Sequence, residues 1–420
     1  MKYDVIVAGG GTAGCAAAYM LGMSGKKVLI IEKNSFLGGT MTSSLVTPMM
    51  KTSRNSINND FLNEFIKQMK QYGAAITYSD GNIGWFNPEI AKIVLDEMLN
   101  KAKVKVLFNS FVTKVNISNR NIKSLEINDN ILSVPIETRC VIDSTGNCDI
   151  GFLSNCKFLN KKEENQPVNL RFLMSGVDLK LFSKWLLDFD SDRSVTTAYE
   201  CDGQIHLSTA YTWDKGAKWA LSPLFDDAVD KKILKNEDRN YFQVFTVPGM
   251  PNTLAFNCPR IYFEENIDVL DVNLASKALQ MGRGSILRLA KFCKIYFPGF
   301  ENAYISNIAD SLGVRVSRRI KGKYIYTIED LKNGKRFDNP VVTSDYPVDV
   351  HSNKKDSSKL ESVLQEYQLP LEALISDDID NLYVAGRCLS ADFYAQAALR
   401  IIPSCMSMGV GVAKFLVKKS

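Results

Sequence analysis

The chain has 420 residues, 45% of them hydrophobic and 23% charged, with a formal net charge of +5. That length leaves room for two or three domains and a buried cofactor, while so small and dispersed a charge gives no case for a nucleic-acid surface. The nine cysteines are scattered without a CxxC pair, and no uninterrupted apolar run nears the roughly 20 residues of a membrane helix. No metal site and no integral membrane segment are expected, and an odd number of thiols fits a reduced, cytoplasmic setting.

Val5-Ile6-Val7-Ala8 is a short apolar run of the kind a buried parallel strand shows. Asp4 precedes it, which fits a first strand rather than a signal peptide. Gly9, Gly11 and Gly14 then form GxGxxG around Thr12 and Ala13, and Cys15-Ala16-Ala17-Ala18-Tyr19-Met20-Leu21 reads as a small-residue helix. A second apolar run, Val28-Leu29-Ile30-Ile31, ends at Glu32 and Lys33. Gly9 permits a tight turn, Gly11 lets the backbone approach a pyrophosphate, and Gly14 lets helix and strand pack closely. The helix start offers free N–H groups to phosphate, and Glu32 stands where an acid bonds a ribose diol. The unit predicts a dinucleotide site, and the acid disfavours a 2′-phosphate.

Further along, Phe36-Leu37-Gly38-Gly39-Thr40 is a second small-residue loop, and Asn87-Pro88 opens a helix expected over 87–99. Strands are expected over 103–108, with Val112 beyond, and at Cys140-Val141-Ile142-Asp143, ending in Ser144, Thr145 and Gly146. The middle carries strand-like runs at 168–175 and 241–247 and an amphipathic helical stretch over 274–292. Residues 353–359 read as an exposed loop, Leu382-Tyr383-Val384 as a strand closing on Gly386 and Arg387, and 404–415 as a last helix.

Four blocks stand in order: the opening glycine unit; Leu312-Gly313-Val314-Arg315-Val316-Ser317-Arg318-Arg319-Ile320-Lys321-Gly322; Tyr346-Pro347-Val348-Asp349-Val350-His351; and Val384-Ala385-Gly386-Arg387, running on to Gly409 and Gly411. The whole chain resembles the FAD-dependent oxidoreductase family, with an FAD fold of the glutathione-reductase type. The resemblance implies FAD as cofactor and an α/β architecture. A Rossmann-like FAD-binding domain over 1–155 is completed by a return segment over 301–420, around a mixed, mostly antiparallel substrate (cap) domain over 156–300. It implies cofactor contacts at Gly9, Gly11, Thr12, Ala13, Gly14, Glu32, Lys33, Gly39, Thr40, Val112, Thr145, Gly146, Gly386, Arg387 and Gly409. The chain departs from the pattern after Gly409, where relatives carry a longer alanine-rich helix.

A second strand–GxGxxG–helix unit is missing: Gly282-Arg283-Gly284 follows a helical stretch and lacks a third glycine. Electrons must then pass to an external donor or acceptor. The flavin carries the hydride, leaving the protein to position a small-molecule substrate and move a proton. His351, which suits proton transfer near neutral pH, and Arg400, which suits a planar anion, are the expected catalytic residues. His206 sits in no motif and is expected to be structural. Tyr346 and Tyr394 are weighed as proton donors, Arg315, Arg318 and Arg319 as a second basic cluster, and Cys388 and Cys405 as buried packing. The main alternative is a redox-neutral or biosynthetic protein on the same fold, thiazole-synthase-like or cyclase-like. A flavin-bearing RNA-modification protein would want a basic module that the tail from Lys414 hardly supplies.

Overall fold

A computed structural model describes residues 2–75, 84–128, 135–161, 164–201, 203–212, 219–262, 270–351 and 358–419. Of the loop expected at 353–359, residues 353–357 lie outside the described residues.

The apolar runs of the sequence assemble into one seven-stranded sheet. Its order is Lys105–Leu107, Val28–Ile31, Lys2–Ala8, Ile136–Asp143, Asn121–Ile127 and Val112–Ser118, and Leu382–Val384 pairs alongside Ile136–Asp143. Ile6 stands opposite Leu29 on one side and Val141 on the other, all in parallel register. The returning strand is parallel as well, with Tyr383 opposite Ile142. Every residue of Val28–Ile31 is buried, which is why the run shows no alternation: helices or loops cover both faces of a parallel sheet. The hairpin of Val112–Ser118 and Asn121–Ile127 adds the antiparallel edge.

Helices Thr12–Met23, Pro88–Lys101 and Ile402–Lys419 pack with this sheet around one hydrophobic core. Asn87 caps the second of them, its side-chain oxygen accepting the N–H of Glu89 at 2.9 Å and of Ile90 at 3.3 Å. The last helix starts at Ile402, two residues earlier than the sequence pattern placed it, with Pro403 in its first turn. It meets helix Phe393–Leu399 at 93°. Among the described residues no single helix is long and apolar enough to cross a membrane.

A second sheet has six strands, all antiparallel, in the order Thr196–Cys201, Gln204–Thr212, Tyr241–Thr246, Thr253–Phe256, Phe172–Ser175 and Tyr304–Ile308. Helix Val272–Tyr296 lies against it, capped by Asp271. Their shared core is aromatic, with Phe172 on Phe256 and Phe225 against Phe292, each pair at 4.3 Å between ring centres. The stretch expected as one strand over 168–175 is two, Val168–Asn169 and Phe172–Ser175, interrupted at Leu170 and Arg171. That interruption brings Arg171 to the cleft between the two sheets.

Candidate functional site

A cleft of about 1200 Å³ runs along the carboxyl ends of the parallel strands and on to the antiparallel sheet. Ligands of open α/β sheets bind at these strand ends, and the volume exceeds the roughly 300–1,000 Å³ of an ordinary small-molecule site. Gly9, Gly11, Thr12, Ala13, Glu32, Lys33, Gly39, Thr40, Val112, Thr145, Gly146, Gly386 and Arg387 all line it, as do His351 and Arg400. Local structure explains how so many separate segments meet there.

Gly9 turns out of the opening strand with φ +91°, a conformation that side chains rarely adopt. Gly14 does not line the cleft; its missing Cβ makes room for the turn, since a methyl there would sit 2.0 Å from the Gly9 carbonyl oxygen. The second glycine loop is pinned beside the first, with the Gly38 N–H donating to the Gly10 carbonyl at 2.8 Å. Glu32 closes the second strand and holds both loops. Its Oε2 accepts the Gly10 N–H at 2.7 Å and its Oε1 the Asn34 N–H at 2.8 Å. Burial raises the Glu32 pKa, and these two hydrogen bonds offset only part of that rise.

Asp143, fully buried at the end of its strand, fixes the third loop. It accepts the Thr145 N–H at 3.1 Å, the Thr145 hydroxyl at 2.7 Å, and the N–H groups of Ile150 and Gly151 at 2.9 and 3.1 Å. Arg387, from the returning strand, ties three segments together: it donates to the carbonyls of Gly146 (2.8 Å) and Val314 (2.9 Å) and to Asn147 Oδ1 (3.0 Å). Burial holds its pKa below the usual arginine value.

Gly409 departs from the expected cofactor contact. It lies inside the last helix, and a methyl there would meet the Ala13 carbonyl oxygen at 2.2 Å. The residue serves close packing of the last helix on the opening one. The start of the last helix does face the cleft, through Ile401, Ile402 and Cys405. Burial pushes the Cys405 thiol up to about 12, so it is no activated nucleophile.

At the far end of the cleft, Arg400 donates to Asp349 twice, to its carbonyl at 2.9 Å and its Oδ2 at 3.0 Å. His351 Nε2 lies 3.2 Å from Asp349 Oδ1, and Arg260 Nη2 lies 2.7 Å from His351 Nδ1. A guanidinium only donates, so Nδ1 accepts and the ring proton sits on Nε2. Burial, followed by Arg315 and Arg260, holds the His351 pKa well below its ordinary value. The Asp349 carboxyl, despite burial, is held well below the usual carboxylate range by Arg400, His351 and Arg315.

Sequence reasoning missed part of this end. Arg171 donates to the Leu45 carbonyl at 3.2 Å, Arg260 stacks on Tyr241 at 3.6 Å, and the Tyr241 hydroxyl joins Gln243 (2.7 Å) and Asn257 (3.0 Å). The available signal was an arginine inside an apolar run, Leu170-Arg171-Phe172-Leu173, because a charge is rarely buried without a partner or a purpose. Of the cluster at 315–319, Arg315 and Arg318 line the cleft, whereas Arg319 is buried against Glu164. Arg318 stacks on Phe152 at 4.0 Å. Tyr346 lines the cleft, with burial raising its pKa, while Tyr394 is exposed and lies outside it. His206 is buried within the antiparallel sheet, 5.5 Å from the Tyr199 ring, and Cys388 is buried outside the cleft.

A strand–glycine turn–helix–strand unit closed by an acid, with its loops opening on one long cleft, defines a dinucleotide-binding protein of the α/β class. The chain belongs to the FAD-dependent oxidoreductase family, whose model matches residues 4–416. It is 34% identical over 112 residues to pseudooxynicotine dehydrogenase of a Pseudomonas species, covering 26% of this chain and 22% of that protein. It is 50% identical over 50 residues to a bifunctional amine oxidase described from Dictyostelium discoideum, covering 12% of this chain and 5% of that one. Among solved structures it is similar to a geranylgeranyl bacteriochlorophyll reductase-like protein of Thermoplasma acidophilum. That likeness has a TM-score of 0.48 and 15% identity and covers 99% of this chain and 78% of the other.

Proposed function

We propose that the protein is an FAD-dependent oxidoreductase transferring a hydride between the flavin and a small organic substrate, which is bound where the cleft reaches the antiparallel sheet. One observation carries the reading: a single cleft is lined continuously from Glu32, past the glycine loops, to Arg400. The residues fit the cofactor. Gly11 leaves its backbone open to the cleft, since a methyl built there would have no neighbour nearer than 3.8 Å. The N–H groups of Gly11, Thr12 and Ala13 would hold the pyrophosphate, Glu32 and Lys33 the ribose, and Val112 the adenine edge. Gly39, Thr40, Thr145, Gly146, Gly386 and Arg387 would hold the remainder. FAD, when bound, supplies the hydride acceptor or donor.

Arg400 would orient the substrate. His351, with both ring nitrogens engaged inside the protein, is proposed to position Asp349 and Arg400 rather than to carry the proton itself. The parallel return of Leu382–Val384 supports a glutathione-reductase-type arrangement, and the two separate cores support an FAD domain built from both ends of the chain around a cap. We further propose an external electron donor or acceptor and a cytoplasmic location, the latter on nine cysteines that stay unpaired.

The test is to release and identify the cofactor of the purified protein, then screen substrates anaerobically for bleaching of the flavin spectrum. Bound FAD and a substrate that bleaches it are expected. Bound NAD, or a nucleotide adduct without flavin, would overturn the assignment and favour a redox-neutral activity.

A further inference from the structure

Helix Val272–Tyr296 packs on the antiparallel sheet with one face and meets solvent with the other. Ile286, Leu289 and Cys293 are buried in the shared core, and helical spacing sets the residues of the opposite side. Arg283, Leu287, Lys291, Lys294 and Ile295 stand there, all exposed, Leu287 to 67% and Ile295 to 54%. The helix holds five Lys or Arg residues and no Asp or Glu in 25 residues, although the whole chain is nearly balanced, with 51 basic and 46 acidic residues. Arg288 is engaged inside the protein, donating to the buried Asp238 at 2.6 and 2.8 Å. Among the described residues Arg283, Lys291 and Lys294 are in no ion pair.

A solvated helix ordinarily sets acids three or four residues from its bases, because such pairs stabilise it. This face interleaves its bases with bulky aliphatic side chains instead. A second helix, Leu179–Phe189, extends the pattern. Leu181, Trp185 and Phe189 recur at every fourth residue, with Leu181 and Phe189 exposed. The Trp185 ring lies 5.5 Å from that of Phe297, the residue that follows the long helix. Lys180 and Lys184 flank this stripe, and Asp188 is the one acid within the helix.

We propose that the outer face of helix Val272–Tyr296 is a docking surface for an anionic lipid bilayer, on which the protein rests without spanning it. Two chemistries on one surface select this partner. A polyanion such as a nucleic acid would engage the cations and leave Leu287 and Ile295 in water. An anionic bilayer takes both: Lys and Arg reach its headgroups while aliphatic and aromatic groups enter the acyl boundary. The same helix lines the cleft through Ala275 and Leu279, so the docked surface lies one helix diameter, roughly 10 Å, from the cleft. The proposal goes beyond the flavoenzyme reading and does not depend on it, because it concerns where the cleft is presented and not what the cleft holds.

The test sediments the purified full chain with vesicles of phosphatidylcholine alone and of phosphatidylcholine mixed with phosphatidylglycerol. Binding to the mixed vesicles should exceed binding to the neutral ones about tenfold or more, and should fall as salt is raised. Lys291→Glu combined with Lys294→Glu should lower it about tenfold or more, and Leu287→Gln about threefold, each with an unchanged melting temperature. Lys67→Glu combined with Lys70→Glu makes the same charge change on the exposed side of helix Asp60–Gln71 and should leave binding within about twofold of wild type. No preference for the anionic vesicles, or equal losses from the two charge reversals, would overturn the proposal. Leu287→Gln binding as well as wild type would mark a plain polyanion site and overturn it too. So would self-association in analytical ultracentrifugation without lipid that Leu287→Gln abolishes, since a second copy would then cover this face.

Discussion

Gly11→Ala and Gly14→Ala add one methyl group each to the same motif, yet they should fail in opposite ways. At Gly14 the new methyl would lie 2.0 Å from the Gly9 carbonyl oxygen and 3.1 Å from Ser144 Cβ. The first is more than about 1 Å short of a comfortable separation, and the obstacle is backbone, so helix and strand must part. Overpacking of this kind costs about 1–3 kcal/mol, and the higher helix propensity of alanine returns at most about 1. A net loss of about 2 kcal/mol is expected for the apoprotein. At Gly11 the backbone is in an ordinary extended conformation (φ −76°, ψ −172°), and the nearest atoms are 3.8 Å away. Apoprotein stability should therefore stay within about 0.5 kcal/mol, because reduced freedom of the unfolded chain offsets a poorer helix cap. The methyl would instead occupy space beside the helix start, and FAD affinity should fall about tenfold or more. Urea unfolding of the apoproteins and FAD titration separate the two effects. A Gly14→Ala apoprotein as stable as wild type, or Gly11→Ala binding FAD normally, would refute the assignment of the two glycines.

Other perturbations reach the remaining loops and the far end of the cleft. His351 is neutral in the fold, with a pKa lowered chiefly by burial. The unfolded chain takes up its proton below about pH 6.5 while the folded one does not, so stability should fall by up to about 1.4 kcal/mol per pH unit as pH drops below that value. His351→Gln should flatten this slope in urea midpoints measured from pH 7.5 to 5.5; identical slopes would place the proton elsewhere. The depressed pKa of Asp349 leaves that window untouched, because its stabilisation is lost only as pH falls below the ordinary carboxylate range. Glu32→Ala leaves the Gly10 and Asn34 N–H groups without their acceptor. It should cost the apoprotein about 1–3 kcal/mol and weaken FAD retention, measured by cofactor content after gel filtration. Arg387→Lys loses the fork that joins Gly146, Val314 and Asn147. It should lower the melting temperature and speed FAD release, and a protein unchanged in both would show that the three loops hold themselves.

Local rules made the nucleotide half of the molecule legible. Glycine spacing, two apolar runs without alternation and an acid at the end of the second depend on windows of a few residues, and strand, turn, helix and strand follow from them. The cap of helix Pro88–Lys101 was legible for the same reason, since Asn87 acts on amides two and three residues away. Gly409 shows where such reading stops: its neighbours in sequence make it part of a helix, and only the packing of that helix on Ala13 shows why it is glycine.

The far end of the cleft was legible only in part: His351, Arg400 and Arg315 stood out in the sequence, but tertiary structure alone brought Arg171 and Arg260 to them. Arg171 sits at a break between two strands, Arg260 beyond the antiparallel sheet, Arg315 on the return from it and Arg400 at the bend between two helices. No pattern along the chain links these positions, because the attraction and repulsion of charges act through space and not along sequence. The sequence by itself determined that the opening strand ends in a glycine turn, followed by a helix and a second strand closed by an acid. The folded chain decided what meets at the other end of the cleft: Arg171, Arg315 and Arg400 with Asp349 and His351, brought together from segments more than two hundred residues apart.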